Sequence, residues 1–494
     1  MSTGAPTVWT SPGVLARMSA VARTRRWTVA VWAAMVAWAI VLFDIARDAF
    51  FDFRLGRFDL GNMVQAVWST AHGRPLEITS AAGEQVYRLG YHVDPFLVLL
   101  APVWVLWSSP LALAFVQIAV SALGALPVYW LAERHSGSQR TGALLAAAYL
   151  LYPWVAWGAL DVFHPVSLAT TLLLYGIWFL DADRLLAFGV CAFLVAATGE
   201  LMGLVIAGLG LWYALARGRR RAGLGIAAGG AVWTIVALSV VVPAFSGGPS
   251  LHYDAFSEVG GSPLGIVRTA FSDPLVLVTA ATRGEDVVYL LALALPLAGA
   301  FLLEPWLAAV GAIPLSVNLL AGIVPATDPY DHYSAGILPF LFAGVAIGIR
   351  RLSPSTADRV VGLVLVLCAA TSVALGPWPG TSMLKASSWD PITPSSERAD
   401  ALERAVARVP QAAAVSATNR LGSHLSARRY VYSVPVVGSA RWIVIESSDA
   451  WLPRGARGDE DPVRLAAFLR RIEQSSNWQK VSEEDGVLVF RRKG

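Results

Sequence analysis

A helical membrane protein with many spans, carrying a small α/β domain at its C-terminal end, is the fold class this sequence predicts. Three observations carry that prediction. Hydrophobic residues make up 56% of the 494-residue chain and charged residues only 15%, well short of the ~25% charge of an average soluble domain. Long apolar runs recur from Trp27 to Leu375, and a bilayer is the solvent such runs require. From about Ser382 onward the composition becomes that of a soluble protein. There "AAAVSA" and "RWIVIESS" read as strands, "DPVRLAAFLRRIEQ" as an amphipathic helix and "GVLVFRR" as a last strand.

Arginines set the expected threading, because positive charge near span ends stays cytoplasmic. Arg23, Arg25 and Arg26 precede the first apolar run, which places residues 1–26 inside and makes that run an uncleaved anchor. Residues 47–95 form the first extracytoplasmic loop. Within it "FDLGNMVQAVWSTAHGRPL", from Phe58 to Leu76, has the spacing of an amphipathic helix on the membrane surface. "DPFLVLLAPVWVLWSS" follows as a second surface or partly embedded helix, short for a full span. About eleven spans are expected in a membrane domain over 27–376, at roughly 27–45, 111–131, 142–158, 166–180, 185–199, 201–216, 223–244, 287–303, 306–323, 335–349 and 359–376. This threading leaves Arg184, the "RGRRR" run at 217–221 and Arg350–Arg351 inside. "GPWPG" marks the boundary, and residues 380–494 form a soluble extracytoplasmic domain.

The net charge of +4 comes mostly from arginines flanking spans. It points to membrane lipids as partners and not to nucleic acid. Cys191 and Cys368 lie inside apolar segments, so no disulfide framework is implied. The chain has no Walker loop, dinucleotide fingerprint or zinc-ligand spacing.

Ionisable residues near membrane segments are costly and point to function. Asp59, His92, Asp94, Asp161, His164, Glu200, Asp328, Asp331 and His332 all fall on the extracytoplasmic side of the threading. Carboxylates and imidazoles converging from several loops suit general-base chemistry or metal binding. Each has an ordinary reading too. Asp59 is a natural N-cap for Leu60, Met63, Val64 and Val67; "HVDP" and "DVFHP" resemble loop-to-helix junctions. Glu200 could sit solvated in a tight inter-span turn, and "DPYDHY" could be a solvated loop. Arg47, Arg54, Arg57, Arg74 and Arg88 crowd the first outer loop, where arginine can hold phosphate bidentately or stand simply solvated. In "NRLGSHLSARR", Asn419, His424, Arg428 and Arg429 read as an amphipathic surface helix, with contact to an acceptor glycan as the other reading.

"FDLGNMVQAVW", "YHVDPFLVLLAPVW", "FVQIAVSALGALPVYWLA", "DVFHPVSLATTLLL" and "AVSATNRLGSHLSARRYVY" together resemble a bacterial family of multi-pass membrane proteins with no assigned activity. That family is grouped with the GT-C glycosyltransferases, and the resemblance spans about residue 40 to the C-terminal domain. It implies a transferase moving a sugar from a polyprenyl-phosphate donor to a glycan or lipid acceptor outside the membrane. GT-C enzymes carry an essential acid in the first outer loop, the place Asp59 occupies. Their paired acids are absent here, because Leu60 follows Asp59, which counts against a metal-dependent site and against catalysis itself. The expected catalytic residues are Asp59, Asp94 and Glu200. The expected substrate-binding residues are Arg57, Arg74, Arg88, His92, Asp161, His164 and His332. No metal ligands are assigned, and a divalent cation is the one cofactor considered. A lipid or glycan transporter is the first alternative, but transporters usually show internal repeats and polar groups at mid-membrane depth. A non-catalytic scaffold is the second.

Overall fold

The computed structural model describes residues 12–248, 251–378, 396–454 and 457–493. Its first helix, Pro12–Phe51, buries Val31, Met35, Trp38, Leu42 and Ala46 and exposes Val29, Trp32, Val36 and Ile40. A stripe at three- and four-residue spacing packs inward while equally apolar residues face out. Such an outer face is stable in hydrocarbon and costly in water.

Among the described residues five helices are long and apolar enough to cross a membrane: Arg26–Phe51, Leu111–Ser136, Arg220–Ser246, His332–Arg351 and Pro354–Leu375. A sixth span arises if Gln139–Leu151 and Pro153–Leu160, bent by 52°, count as one. The bend falls where Tyr152 is extended before Pro153, because proline disfavours the helical region at the preceding residue. The other apolar helices, including Leu185–Ala196, Met202–Leu215 and Pro305–Leu320, have 10–17 residues, fewer than the ~20 that the hydrocarbon core takes. The segment expected as a span over 287–303 is a helix, Gly284–Ala294, followed by two short turns. Left-handed residues Ala298 and Gly299 divide those turns. Both cysteines are buried and free.

The bundle's two ends differ chemically. At one, Asp181 is ringed by Arg134, His135 and Arg217, and Glu304 pairs with Arg350 and Arg351. The opposite end carries the loops with Asp161, Glu200 and His332, together with the C-terminal domain.

The amphipathic segment begins with a wide π turn, Arg57–Gly61, that runs into the helix Asn62–Ala71. Asp59 is not its N-cap. That position is Gly56, and the capping side chain comes from the C-terminal domain: Asn419 Oδ1 accepts from the Arg57 amide at 2.9 Å and the Phe58 amide at 3.4 Å. The helix packs one face inward. Met63, Val64, Gln65, Ala66 and Val67 are buried beneath a hairpin of β1 (Glu77–Thr79) and β2 (Gln85–Tyr87) and the helical stretch Pro95–Leu106.

The C-terminal domain is built on β3 (Val415–Ala417), β4 (Val431–Ser433), β5 (Trp442–Glu446), β8 (Trp478–Glu484) and β9 (Val487–Arg492), with a hairpin of β6 (Trp451–Arg454) and β7 (Arg457–Glu460) beside them. The main sheet has the order β4-β3-β5-β9-β8. β3 runs parallel to both neighbours, and β9 antiparallel to both of its own. The helix Pro462–Gln474 covers one face with Leu465, Phe468 and Ile472.

This domain is welded to the membrane domain. Its short helix Asn419–His424, expected at the surface, buries Leu421, Gly422 and Ser423, and the His424 ring stacks between Phe50 and Phe53 at 4.1 and 3.9 Å. Burial drives the His424 imidazole down to about 3. Arg428 is buried and donates to the carbonyls of Leu425, Pro410 and Ala413. Arg429 pairs with Glu77 at 3.4 Å. Asn419, His424 and Arg429 therefore hold the domain interface together, while Arg428 braces the C-terminal domain from within. Gly61 and Gly422 permit it: a Cβ on Gly61 would stand 2.5 Å from Ser426 Oγ, and one on Gly422 2.8 Å from Arg57 Cβ.

Candidate functional site

The site begins with a buried glutamine. Gln117 lies on the apolar helix Leu111–Leu123. Its amide donates to the Asp161 carbonyl at 2.6 Å, and its Oε1 accepts from the His164 amide at 3.0 Å. It thereby clamps the loop between the helix Pro153–Leu160 and the turn Pro165–Leu168. A polar side chain inside an apolar helix needs such partners. "FVQIAVS" carried that signal, and the sequence reading passed over it.

In this loop Asp161 Oδ1 accepts from the Val162 amide at 2.7 Å. Asp161 Oδ2 accepts from the His332 amide at 3.0 Å and meets His332 Nδ1 at 2.9 Å. His164 Nδ1 donates to the Val162 carbonyl at 2.7 Å and lies 4.0 Å from Asp161 Oδ2. The two imidazoles stack at 3.7 Å, 19° from parallel. One ligand atom from each of Asp161, His164 and His332 lies within 4.8 Å of the others. A small cleft is lined by His332 together with Ser121, Ser167, Thr170 and Ser334, and Ser167 Oγ is buried there without a hydrogen-bond partner among the described residues.

Asp59 stands beside this cluster. Its side chain is exposed and makes no hydrogen bond or ion pair among the described residues. It sits in a recess dense with protein. Burial first, and then the negative charge of Asp161, raise its carboxyl to about 6 against the opposing pull of His332. Asp331 rises to about 7 through burial and the same Asp161 charge, and Asp328 also shifts upward. His164 is driven well below the usual imidazole range by burial and by the neighbouring His332 charge. Crowded acids in a poorly solvated recess repel one another's charge.

A second polar group adjoins the first, since the charges of Arg88 and His92 reach His164. Arg88 and Asp94 form a buried pair at 2.7 Å, leaving Asp94 Oδ1 without a partner among the described residues. Burial holds the Asp94 carboxyl above its usual range although Arg88 pulls it down. Glu200 Oε1 lies 3.4 Å from His92, and Glu200 Oε2 accepts from the Val93 amide at 3.0 Å. Burial pushes Glu200 up, but His92 and the Val93 amide outweigh it and hold the acid at about 2. The structure thus gathers Asp59, Asp161, His164 and His332, with Arg88, Asp94, His92 and Glu200 next to them.

Two expected substrate-binding residues lie elsewhere. Arg57 is fully buried, donating to Ser433 Oγ, the Thr79 carbonyl and the Val431 carbonyl at 2.9, 2.8 and 2.7 Å. Burial lowers its guanidinium to about 10. Arg57 therefore fastens the C-terminal domain and does not face a ligand. Arg74 sits 3.1 Å from Glu77 and lies over the Trp68 ring.

A helical membrane domain whose acids and imidazoles meet beside a docked α/β domain is the architecture of a multi-pass membrane protein. The crystal structure of ArnT from Cupriavidus metallidurans bound to undecaprenyl phosphate superposes with a TM-score of 0.51 at 12% identity, covering 94% of this chain and 98% of that one. The apo structure of the same protein gives 0.48 at 14% identity, covering 92% and 98%. No curated protein matches. The model of DUF2079, described as a predicted membrane protein, matches residues 49–489. The chain belongs to that family.

Proposed function

We propose that this protein is a membrane glycosyltransferase that moves a sugar from a polyprenyl-phosphate donor to a hydroxyl-bearing glycan or lipid acceptor at the extracytoplasmic face. The observation that carries the reading is Asp59: a carboxylate with no hydrogen-bond or ion-pair partner among the described residues, in the first loop after the first span, raised by its recess to about 6. A general base works best with a pKa near the operating pH. ArnT supports the donor class, since a protein of this fold binds undecaprenyl phosphate. In the proposed step Asp59 takes the proton of the acceptor hydroxyl. The acceptor oxygen forms a bond to the anomeric carbon, and the bond from that carbon to the phosphate oxygen breaks. Polyprenyl phosphate leaves with the electron pair.

The orientation belongs to the proposal. The arginine pattern supports a cytoplasmic N-terminus, with the recess and the C-terminal domain outside. Reporter fusions at Arg221 and Gly494 should therefore report opposite sides, and the same side for both overturns the orientation. The function is tested by incubating the purified protein with polyprenyl-phosphate sugars and an acceptor extract while following release of polyprenyl phosphate. Time-dependent release supports the transferase. Movement of intact donor across vesicles without cleavage makes it a transporter, and an untouched donor pool rejects the reading.

A further inference from the structure

We infer that Asp161, His164 and His332 form a binding site for a divalent transition-metal ion of the zinc class, with an open position for a phosphate oxygen. Two imidazoles and one carboxylate are a ligand set that suits zinc, and three protein ligands leave a coordination position for water or substrate. With bonds of about 2.0–2.1 Å, neighbouring donors of a tetrahedral site lie about 3.3 Å apart. Asp161 Oδ2 is 2.9 Å from His332 Nδ1, near this value; His164 Nδ1 is held by the Val162 carbonyl, so His164 would bind through Nε2, and one ligand atom from each of the three residues lies within 4.8 Å of the others. The stacked rings must splay for both lone pairs to converge. The His164 ring has one hydrogen bond among the described residues, to the Val162 carbonyl, and can turn about it once it slides off the His332 ring.

The surroundings are those of a metal site. Ligands are ordinarily oriented by outer hydrogen bonds. Here the Val162 carbonyl and amide hold His164 Nδ1 and Asp161 Oδ1, while Gln117 fixes the backbone at both ends of the loop. Charge supplies the second argument. Three further carboxyl groups, those of Asp59, Asp328 and Asp331, stand near Asp161. The arginines of the first loop are all engaged: Arg47 with Asp44 and Asp48, Arg54 with Asp52, Arg74 with Glu77, Arg88 with Asp94 and Arg57 in the domain interface. A dication among these carboxyl groups would supply the positive charge a phosphate needs.

The metal half of this inference stands on geometry, whereas the phosphate half rests on the transferase reading. The full chain, stripped of metal and reloaded with zinc, is expected to retain about one ion per chain after desalting. His164→Gln combined with His332→Gln should lose at least nine-tenths of it at an unchanged size-exclusion profile. Wild-type protein that retains no more zinc than the double variant overturns the site. Should the double variant fail to fold, cobalt loading of the wild type decides. Visible absorption of tetrahedral imidazole-bound cobalt supports the site, and its absence overturns it. Polyprenyl phosphate added to the cobalt form should shift that absorption, and an unmoved spectrum rejects the phosphate position. Zinc bound with no donor consumed removes the transferase reading and leaves the metal site standing.

Discussion

Asp59→Asn is the perturbation that separates chemistry from architecture at this site. Asparagine keeps the shape of aspartate and removes the charge. Because Asn419, and not Asp59, caps the turn Arg57–Gly61, the substitution should leave folding and domain docking intact. A positioned general base contributes about 10²- to 10⁴-fold, so sugar transfer should fall by that factor. The pH profile provides a second magnitude. With the carboxyl at about 6, the ionised, active form is roughly 90% of the population at pH 7, 50% at pH 6 and 10% at pH 5. Transfer by the wild type should therefore rise with pH through 6 and then level off, falling about tenfold per unit well below it. The Asn variant should lose that acidic limb along with its rate. The assay is release of polyprenyl phosphate from labelled donor between pH 5 and 8. An Asn variant within tenfold of wild type, or one that retains the acidic limb, would falsify the role of Asp59.

Three further outcomes follow from the domain interface. Arg57→Met leaves the Thr79 and Val431 carbonyls buried without their donor, which should destabilise the protein by about 2–5 kcal/mol. A lower melting temperature and faster proteolytic release of the C-terminal domain would show it, and an unchanged melt would remove Arg57 from the latch. Gly61→Ala should loosen the interface through the clash with Ser426 Oγ, and adding Ser426→Ala should recover part of the loss; no recovery would place the strain elsewhere. His424 has a folded value of about 3 against ~6.5 when unfolded. Its contribution to stability is complete above pH 6.5 and fades as pH falls toward 3, by up to about 1.4 kcal/mol per unit. His424→Phe should flatten that dependence in thermal melts, and its transfer profile serves as a control for the Asp59 limb.

The sequence by itself determined the solvent and the elements. Apolar run length requires a bilayer whatever the packing, and "AAAVSA", "RWIVIESS" and "GVLVFRR" became β3, β5 and β9 because strand alternation is a local property. It also picked out the residues of the recess, since an acid or imidazole among apolar neighbours is conspicuous in one dimension. What it left open is what each polar group touches. The arginine of "GRFDL" could have met a phosphate or the C-terminal domain, and 376 residues of chain separate Arg57 from its partner Ser433. The same holds for Asn419, whose spacing resembles a surface helix until its amide is found on the start of another. Lengths of spans were likewise decided by packing, as Pro153 and the break at Ala298–Gly299 turned expected spans into bent or divided helices. Asp161, His164 and His332 come from two loops, and their 2.9 and 4.0 Å separations exist only because Gln117, on a third segment, holds one of those loops in place. Local chemistry is written along the chain, but a hydrogen-bond partner is chosen by proximity in space, and only the tertiary fold sets that.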